Sequence, residues 1–550
     1  MNRGVIRCPG AGAKRKQVIV SLKKTMAEMA GDYMSPRERN SLISVLRVLA
    51  LRGIGVVLGI ASAFLLAVFL GASAIVDAYF FARRTIGSVQ SISDVLIETL
   101  MVPSLVAHAR KDGAASLRGL SRRLEWVTFA VAAVICTVLA LAAGPVVDTL
   151  APGLAPESRG PAMLYFAILL ITIPITLIAA IKSATLLALR HFSRPAMARL
   201  LPRLALVAVL LLVPLGVDLS WAVVAFVIGN ALMLLIFFRL AERALSQAPA
   251  APIPEGKRRI GLSAGHGVAI IIFAIGTLIE TTLDTYFASL AGVGALAVLT
   301  IGQRISNVGA SELNRSLLAV YYTNFAEYAA EGNRLAFARE VTTAMRSGLF
   351  FLAPLGFYLF ALAEPLCRVL LDFGAFDDAA LALTAQVVAL VAIATVLRSP
   401  VAVIENAVLS DMSARHIPFA TLSIVLGLAA RIGVALTLLP SLGLLAVVWS
   451  AIASTAVKLA LGMIWLRIEG LRLAAADLRR IAVVLGLGMA AAALAGGLVS
   501  LLGDAPRGVL ALALVGASAA SFAAYVAVAA RVGVPEAGWL GDALRRKLSR

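Results

Sequence analysis

Runs of roughly twenty apolar residues return along this chain at intervals of about 30 to 40, and this recurrence limits its fold more than any motif does. A backbone inside hydrocarbon finds no water to bond, so each crossing segment must satisfy its own N–H and C=O groups. Only helices or a closed barrel do so. Barrel strands alternate apolar with polar residues, whereas these runs are continuously apolar and end at Gly, Pro or Arg. The expected fold is therefore an all-α polytopic membrane protein. Its transmembrane helices, about fourteen in number, are expected near 44–70, 76–108, 124–147, 161–189, 195–216, 220–242, 262–290, 294–327, 343–371, 380–409, 418–440, 443–466, 478–502 and 508–532. A chain of 550 residues that is 61% hydrophobic and 14% charged excludes one or several water-soluble domains.

The formal charge of +19 would suggest a nucleic-acid partner in a soluble protein. Here the cations are spread through the connections between helices, so no nucleic acid is expected and their placement reports orientation instead. Counted from the first helix, the even-numbered turns hold Arg110, Lys111, Arg190, Arg203, Arg239, Lys257 and Arg479. The odd-numbered turns are short and hold Asp148, Asp218, Asp372 and Asp504. Cationic loops stay on the cytoplasmic side, which places both termini in the cytoplasm. Cys8, Cys136 and Cys367 lie far apart and the 4 histidines lack ligand spacing, so neither a disulfide framework nor a metal centre is expected.

The expected organisation begins with a basic cytoplasmic arm over 1–43, which lacks the apolar core of a signal peptide. An N-lobe of six helices follows over 44–243. A linker over 244–261, containing SQAPAAPIPEGKRR, is rich in Pro, Ala and charge and leads to a six-helix C-lobe over 262–467. Two further helices occupy 468–533, and an amphipathic tail over 534–550 lies along the inner surface.

The lobes are related by an internal repeat. A shift of 221 positions lays Gly71 on Gly292, Ala74 on Ala295 and Arg83 on Arg304. A guanidinium within a bilayer is costly and rarely faces lipid, so its duplication marks a binding site between the repeats. Arg84 beside Arg83, Arg315 beyond Arg304, and Arg398 next to the kink expected at Ser399-Pro400 join the candidates. Competing readings are snorkelling for Arg83 and Arg84 and an i, i+3 pair with Glu312 for Arg315. Asp94 with Glu98, and Glu280 with Asp284, are carboxylate pairs one helical turn apart. Such pairs bind a coupling Na⁺ or proton, neutralise cavity arginines, or form ordinary interhelical ion pairs. Lys182, Arg431 and Lys458 read as packing or snorkelling charges.

Several stretches carry a family resemblance. They are FLGASAIVDAYFFARR (69–84), LMVPSLVAHARKDG (100–113), APGLA (151–155), LRHFSRPAM (189–197), LDTYFASLAGVGALAVLTIGQRI (283–305) and AEPLCRVLLDFGAFDD (363–378). In order and spacing they resemble the MurJ/MviN family of the multidrug/oligosaccharidyl-lipid/polysaccharide exporter superfamily, from about residue 44 to the C-terminus. The resemblance implies two six-helix lobes in a V around a cationic cavity, with two more helices beside a lipid-filled groove. It also implies a monomer that flips undecaprenyl-diphosphate-linked sugars from the cytoplasmic to the periplasmic leaflet of the bacterial inner membrane by alternating access. Membrane lipids and that substrate are then its partners; no cofactor is expected, and the carboxylate pairs leave a coupling Na⁺ or proton open. Planar guanidinium forks suit a diphosphate, which makes Arg83, Arg84, Arg304, Arg315 and Arg398 its expected ligands. Arg304 corresponds to the family's cavity arginine in the eighth helix, and Asp77 to its aspartate at the start of the second, which is expected with the carboxylate pairs as a coupling or cavity carboxylate.

The chain also departs from that pattern. Where peptidoglycan members carry an Arg-Asp pair in the first helix, it has Ser62 and Ala63; midway along the second it reads SVQSIS in place of an arginine pair; and Gln303 replaces the aspartate before Arg304. An exopolysaccharide unit is therefore expected ahead of the peptidoglycan precursor lipid II. A cation-coupled multidrug exporter of the same superfamily would need an acidic cavity. A membrane glycosyltransferase or polymer ligase would need a catalytic surface outside the bilayer, which periplasmic turns of at most about sixteen residues do not supply. A transporter and not an enzyme is expected.

Overall fold

The computed structural model describes residues 36–97, 102–189, 193–247, 264–307, 309–372, 374–410, 416–470, 475–502 and 505–538. Among them every regular element is helical. The first lobe comprises α1 (Pro36–Leu70), α2 (Ala74–Leu96), α3 (Val102–Leu141), α4 (Ala143–Leu150), α5 (Pro156–Leu170), α6 (Thr172–Ala188), α7 (Ser193–Ala198), α8 (Leu201–Leu210) and α9 (Leu219–Gln247). The second comprises α10 (Ala264–Leu290), α11 (Ala295–Asn307), α12 (Ala310–Ala330), α13 (Arg334–Ala361), α14 (Ala363–Leu371), α15 (Asp378–Ser410), α16 (Ile417–Leu442) and α17 (Leu445–Ile468). Then come α18 (Ala475–Ser500) and α19 (Arg507–Arg531). The arm as far as residue 35, linker residues 248–263 and the tail from 539 lie outside the described residues.

Among the described residues, 12 helical stretches are long and apolar enough to cross a membrane. The second and eighth expected crossings are not among them. α2 carries Asp77, Arg83, Arg84 and Asp94 within 23 residues, and α11 is only 13 residues long. The two helices bearing the repeated arginine are thus poorly suited to lipid, and neighbouring helices must shield them.

Several boundaries differ from expectation. The second crossing stops at Leu96, and the cations Arg110, Lys111, Arg118, Arg122 and Arg123, read from sequence as a turn, lie inside the 40-residue α3. Charge alone does not end a helix, and Leu117 anchors this stretch by packing with Leu105, Ala184 and Leu245. The eighth crossing breaks at Gly309, whose φ of 79° is left-handed. The ninth starts earlier than expected, at Arg334, where the Asn333 side chain accepts the Ala336 N–H at 3.1 Å and caps α13.

One hydrophobic core crosses the lobe boundary, joining Phe80, Phe81, Tyr165 and Phe166 to Phe287, Leu296, Leu299 and Phe376. Other cores belong to a single lobe, around Phe237 and Met233 in the first and around Phe325, Phe337 and Trp465 in the second. The lobes are therefore welded where the shared core lies. Two turns related by the repeat close that end. Gly374, following α14, presses on the Val68 carbonyl of α1, and the next residue, Ala375, donates its N–H to Val68 O at 2.8 Å. Gly153, 221 positions before Gly374, presses on the carbonyl of Ser289, which stands 221 positions after Val68. Each lobe thus seats a turn on the other lobe's helix end.

The last two helices attach to the second lobe alone among the described contacts. α18 runs along α13, and α19 packs on α18 and α14. Arg346 of α13 donates to Glu536 at 2.6 Å and to Asp477 at 3.1 Å, and Tyr525 donates to the Phe350 carbonyl at 2.9 Å.

Candidate anion-binding site

The site is positioned by the start of α11. A helix leaves its first N–H groups without internal partners. Asp77, in the first turn of α2, fills that need from the other lobe: its carboxylate accepts from Gly294 N–H at 2.6 Å and from Ala297 N–H at 2.8 Å. The side chain is only 3% exposed, so this aspartate binds the lobes together and does not face the cleft. Gly294 has φ of 80° and approaches the Ala72 carbonyl closely, a fit that no Cβ would allow.

With the two helix starts fixed, their arginines converge. On α11 ten of 13 residues are buried, and only Gln303, Arg304 and Asn307 reach an opening. Arg304 crosses to α1, where it donates to the Gly59 carbonyl and to Ser62 Oγ at 3.2 Å, with its guanidinium 6.0 Å from the Phe80 ring centre. Arg83 stands over the Phe226 ring at 4.4 Å. Arg203 of α8 donates to the Gly55 carbonyl of α1. Arg304 lies close enough to Arg83, Arg84 and Arg203 to feel the charge of each.

A second group of charges lies deeper between α2 and the second lobe. Arg84 donates to Gln303 at 2.7 Å, Thr300 at 3.3 Å and Thr285 at 3.4 Å, and faces Asp284 at 3.6 Å. Asp284 also binds Arg431, and Glu280, one turn away, binds Lys458. Arg398 is exposed and its charge reaches Glu280. Both carboxylates of this sequence-marked pair thus hold internal cations, and Asp284 bridges the lobes by serving Arg84 and Arg431 together.

Arg83, Arg84, Arg304 and the Glu280 and Asp284 pair are therefore brought together at the lobe boundary, with Arg398 within reach of Glu280. Arg315 stands apart: its side chain is 63% exposed and pairs with Glu312 at 3.5 Å within α12. The Asp94 side chain and Glu98 lie outside the described residues. Sequence reasoning missed Arg203, which it assigned to a cytoplasmic turn although the residue sat well inside an expected helix. It also read Arg431 and Lys458 as packing or snorkelling charges, whereas they are the ion partners of Asp284 and Glu280. Lys182 behaves likewise in the first lobe, pairing with Glu125 at 2.9 Å beneath the Phe238 ring.

A family model described as lipid II flippase MurJ matches residues 66–512. The chain belongs to the MurJ family. Members of that family are transporters and not enzymes, and the chain is a multi-pass membrane protein. The probable lipid II flippase MurJ of Rhizobium meliloti (strain 1021) is 24% identical over 511 residues, which cover 87% of this chain and 92% of that protein. That of Buchnera aphidicola is 28% identical over 120 residues, 22% of this chain and 24% of its own length. Among solved structures, a lipid II flippase MurJ in an inward closed conformation superposes with a TM-score of 0.65 at 14% identity, covering 87% of this chain and 98% of that one. A multidrug resistance MATE family transporter, inward-facing, superposes with a TM-score of 0.61 at 13% identity over 78% and 98% of the two chains. These superpositions establish a shared fold, that of MurJ and MATE transporters.

Proposed function

We propose that this MurJ-family protein moves an undecaprenyl-diphosphate-linked oligosaccharide from the cytoplasmic to the periplasmic leaflet of the bacterial inner membrane by alternating access. The observation that carries this reading is the arginine cluster of Arg83, Arg203 and Arg304 between the lobes. Among the described residues none of the three forms an ion pair. A diphosphate supplies the missing anion, and guanidinium keeps its charge at any depth. The polyprenyl tail meanwhile stays in lipid. An exporter of organic cations would be repelled by the same cluster, which argues against the multidrug reading.

The cationic turns support a reading with both termini in the cytoplasm, in which the sealed end of the lobes faces the periplasm and the arginines are reached from the cytoplasmic side. Asp284 and Glu280 serve as internal counter-charges, with Na⁺ or a proton as the coupling ion to be tested against them. The curated relatives' names favour lipid II. The Ser62 and Ala63 positions, and Gln303 beside Arg304, favour a differently decorated headgroup such as an exopolysaccharide unit.

The test is reconstitution into vesicles with a fluorescent undecaprenyl-diphosphate-linked sugar, scored by exposure on the far leaflet, run in parallel with rescue of cells depleted of their lipid II flippase. Transport without rescue assigns another lipid-linked sugar; rescue assigns lipid II. Arg304→Ala should insert normally yet lower transport by a factor of about 100 or more, as expected when a charge-assisted contact to the moving group is lost. Wild-type transport by that variant would remove Arg304 from the mechanism.

A further inference from the structure

The geometry points to a role for Arg203 that the internal repeat does not mark: with Arg304 it forms a two-armed diphosphate clamp across α1, and it sets the preference for diphosphate over monophosphate. This rests on the reading of the protein as a carrier of diphosphate-linked lipid. The repeat leaves no trace of Arg203, because the position 221 residues later is Ile424.

Four observations converge. Arg203 comes from the first lobe and Arg304 from the second, yet both donate to carbonyls of the same helix, at Gly55 and Gly59, one turn or about 6 Å apart. That spacing offers one fork to each phosphate. Next, those carbonyls already accept the helix's own hydrogen bonds and carry no net charge, so they are weak partners that an anion displaces. Arg84, Arg431 and Lys458 are by contrast each committed to a carboxylate. The uncompensated cations Arg83, Arg203 and Arg304 also act on one another, and a bound anion relieves that repulsion. Glu312 reaches Arg203 only through space, without an ion pair.

The surface of α1 supplies the fourth observation. A Cβ at Gly55 would lie 2.7 Å from an Arg203 guanidinium nitrogen, so that glycine is where the side chain parks. A Cβ at Gly59 would meet nothing within 4 Å, which leaves open space beside the carbonyl that Arg304 holds. Arg203 is itself exposed, as a ligand awaiting its anion must be.

The full chain in lipid nanodiscs, titrated separately with undecaprenyl diphosphate and undecaprenyl monophosphate, tests the clamp. Wild type should prefer the diphosphate. Arg203→Gln should weaken diphosphate binding about tenfold and change monophosphate binding by no more than about twofold, the difference of one charge-assisted fork. Arg203→Lys, which keeps the charge and loses the fork, should fall between. Gly55→Ala separates clamp from strut: it pushes Arg203 off α1 without removing it, so diphosphate affinity should hold or rise. If Gly55→Ala instead loses affinity as Arg203→Gln does, Arg203 is a structural tie and the clamp is wrong. Should Arg203→Gln fail to fold, Arg203→Lys and Gly55→Ala decide the matter on the same readout. Equal affinities for Arg203→Gln and wild type, with Arg304→Gln impaired, would also overturn the clamp while leaving the carrier reading intact. Absence of diphosphate preference in wild type would overturn the carrier reading itself.

Discussion

Asp284 shows how a buried charge cluster in this protein is kept tolerable. Its carboxylate serves Arg431 within the second lobe and Arg84 from the first, and all three side chains are at most 13% exposed. Deleting one partner of such a group leaves the others charged and without compensation, which typically costs about 3 to 5 kcal/mol. Asp284→Asn should therefore lower the thermal stability of the detergent-solubilised protein by an amount in that range. The double variant Asp284→Asn/Arg431→Gln should regain a large part of it, because one of the stranded cations is gone. If the two losses simply add, the pair does not carry the effect. The same arrangement has a consequence for transport. Arg84 is held by an acid while Arg203 and Arg304 rest on carbonyls, so freeing Arg84 adds a competing cation to the cleft, and Asp284→Asn should bind undecaprenyl diphosphate more tightly yet turn over more slowly.

At the scale of elements, α11 depends on a cap from another lobe. Asp77 satisfies the N–H groups of Gly294 and Ala297, and its negative charge sits at the positive end of the helix. Asp77→Ala should cost about 2 kcal/mol in unfolding measurements, and Asp77→Asn, which keeps one acceptor oxygen, about half of that. An Ala variant as stable as wild type would show that other contacts hold α11. This element also marks the limit of what the sequence discloses. The apolar runs announce most crossings, and the repeat announces Arg83 and Arg304, because both signals are periodic. Asp77 was visible as a position but not as a cap, since its partners stand 217 and 220 residues away. Arg203 stayed hidden because tallying loop charges assigned it to a turn, while the repeat offers Ile424 in its place. The polar start of α3 looks like a turn by its cations alone, while its Ala and Leu residues favour the helix it forms.

At the scale of the whole molecule, the exchange of turns between lobes behaves as a symmetric latch. Val68 and Ser289 end equivalent helices, Gly153 and Gly374 head equivalent turns, and each turn seats on the opposite lobe. A Cβ would stand 2.2 Å from the Ser289 oxygen at Gly153 and 2.0 Å from the Val68 oxygen at Gly374, distances that force one backbone away from the other. The two positions differ in one respect. Gly374 has φ of 78°, so alanine there adds backbone strain, whereas Gly153 is outside the left-handed region and alanine there meets the contact alone. Gly153→Ala is therefore the cleaner probe: it should part the lobes at this end without unfolding either, since each retains its own core. In a carrier that alternates between two openings, weakening one seal shifts the population toward the state open there, and about 1.4 kcal/mol shifts it tenfold. A cysteine pair replacing Val68 and Ala375, whose backbones meet at 2.8 Å, reports the change. Cross-linking should be efficient in the parent and should block transport reversibly under reduction. With Gly153→Ala added, its rate should fall several-fold. An unchanged rate would mean that the two turns act separately and that the shared core alone holds the lobes closed.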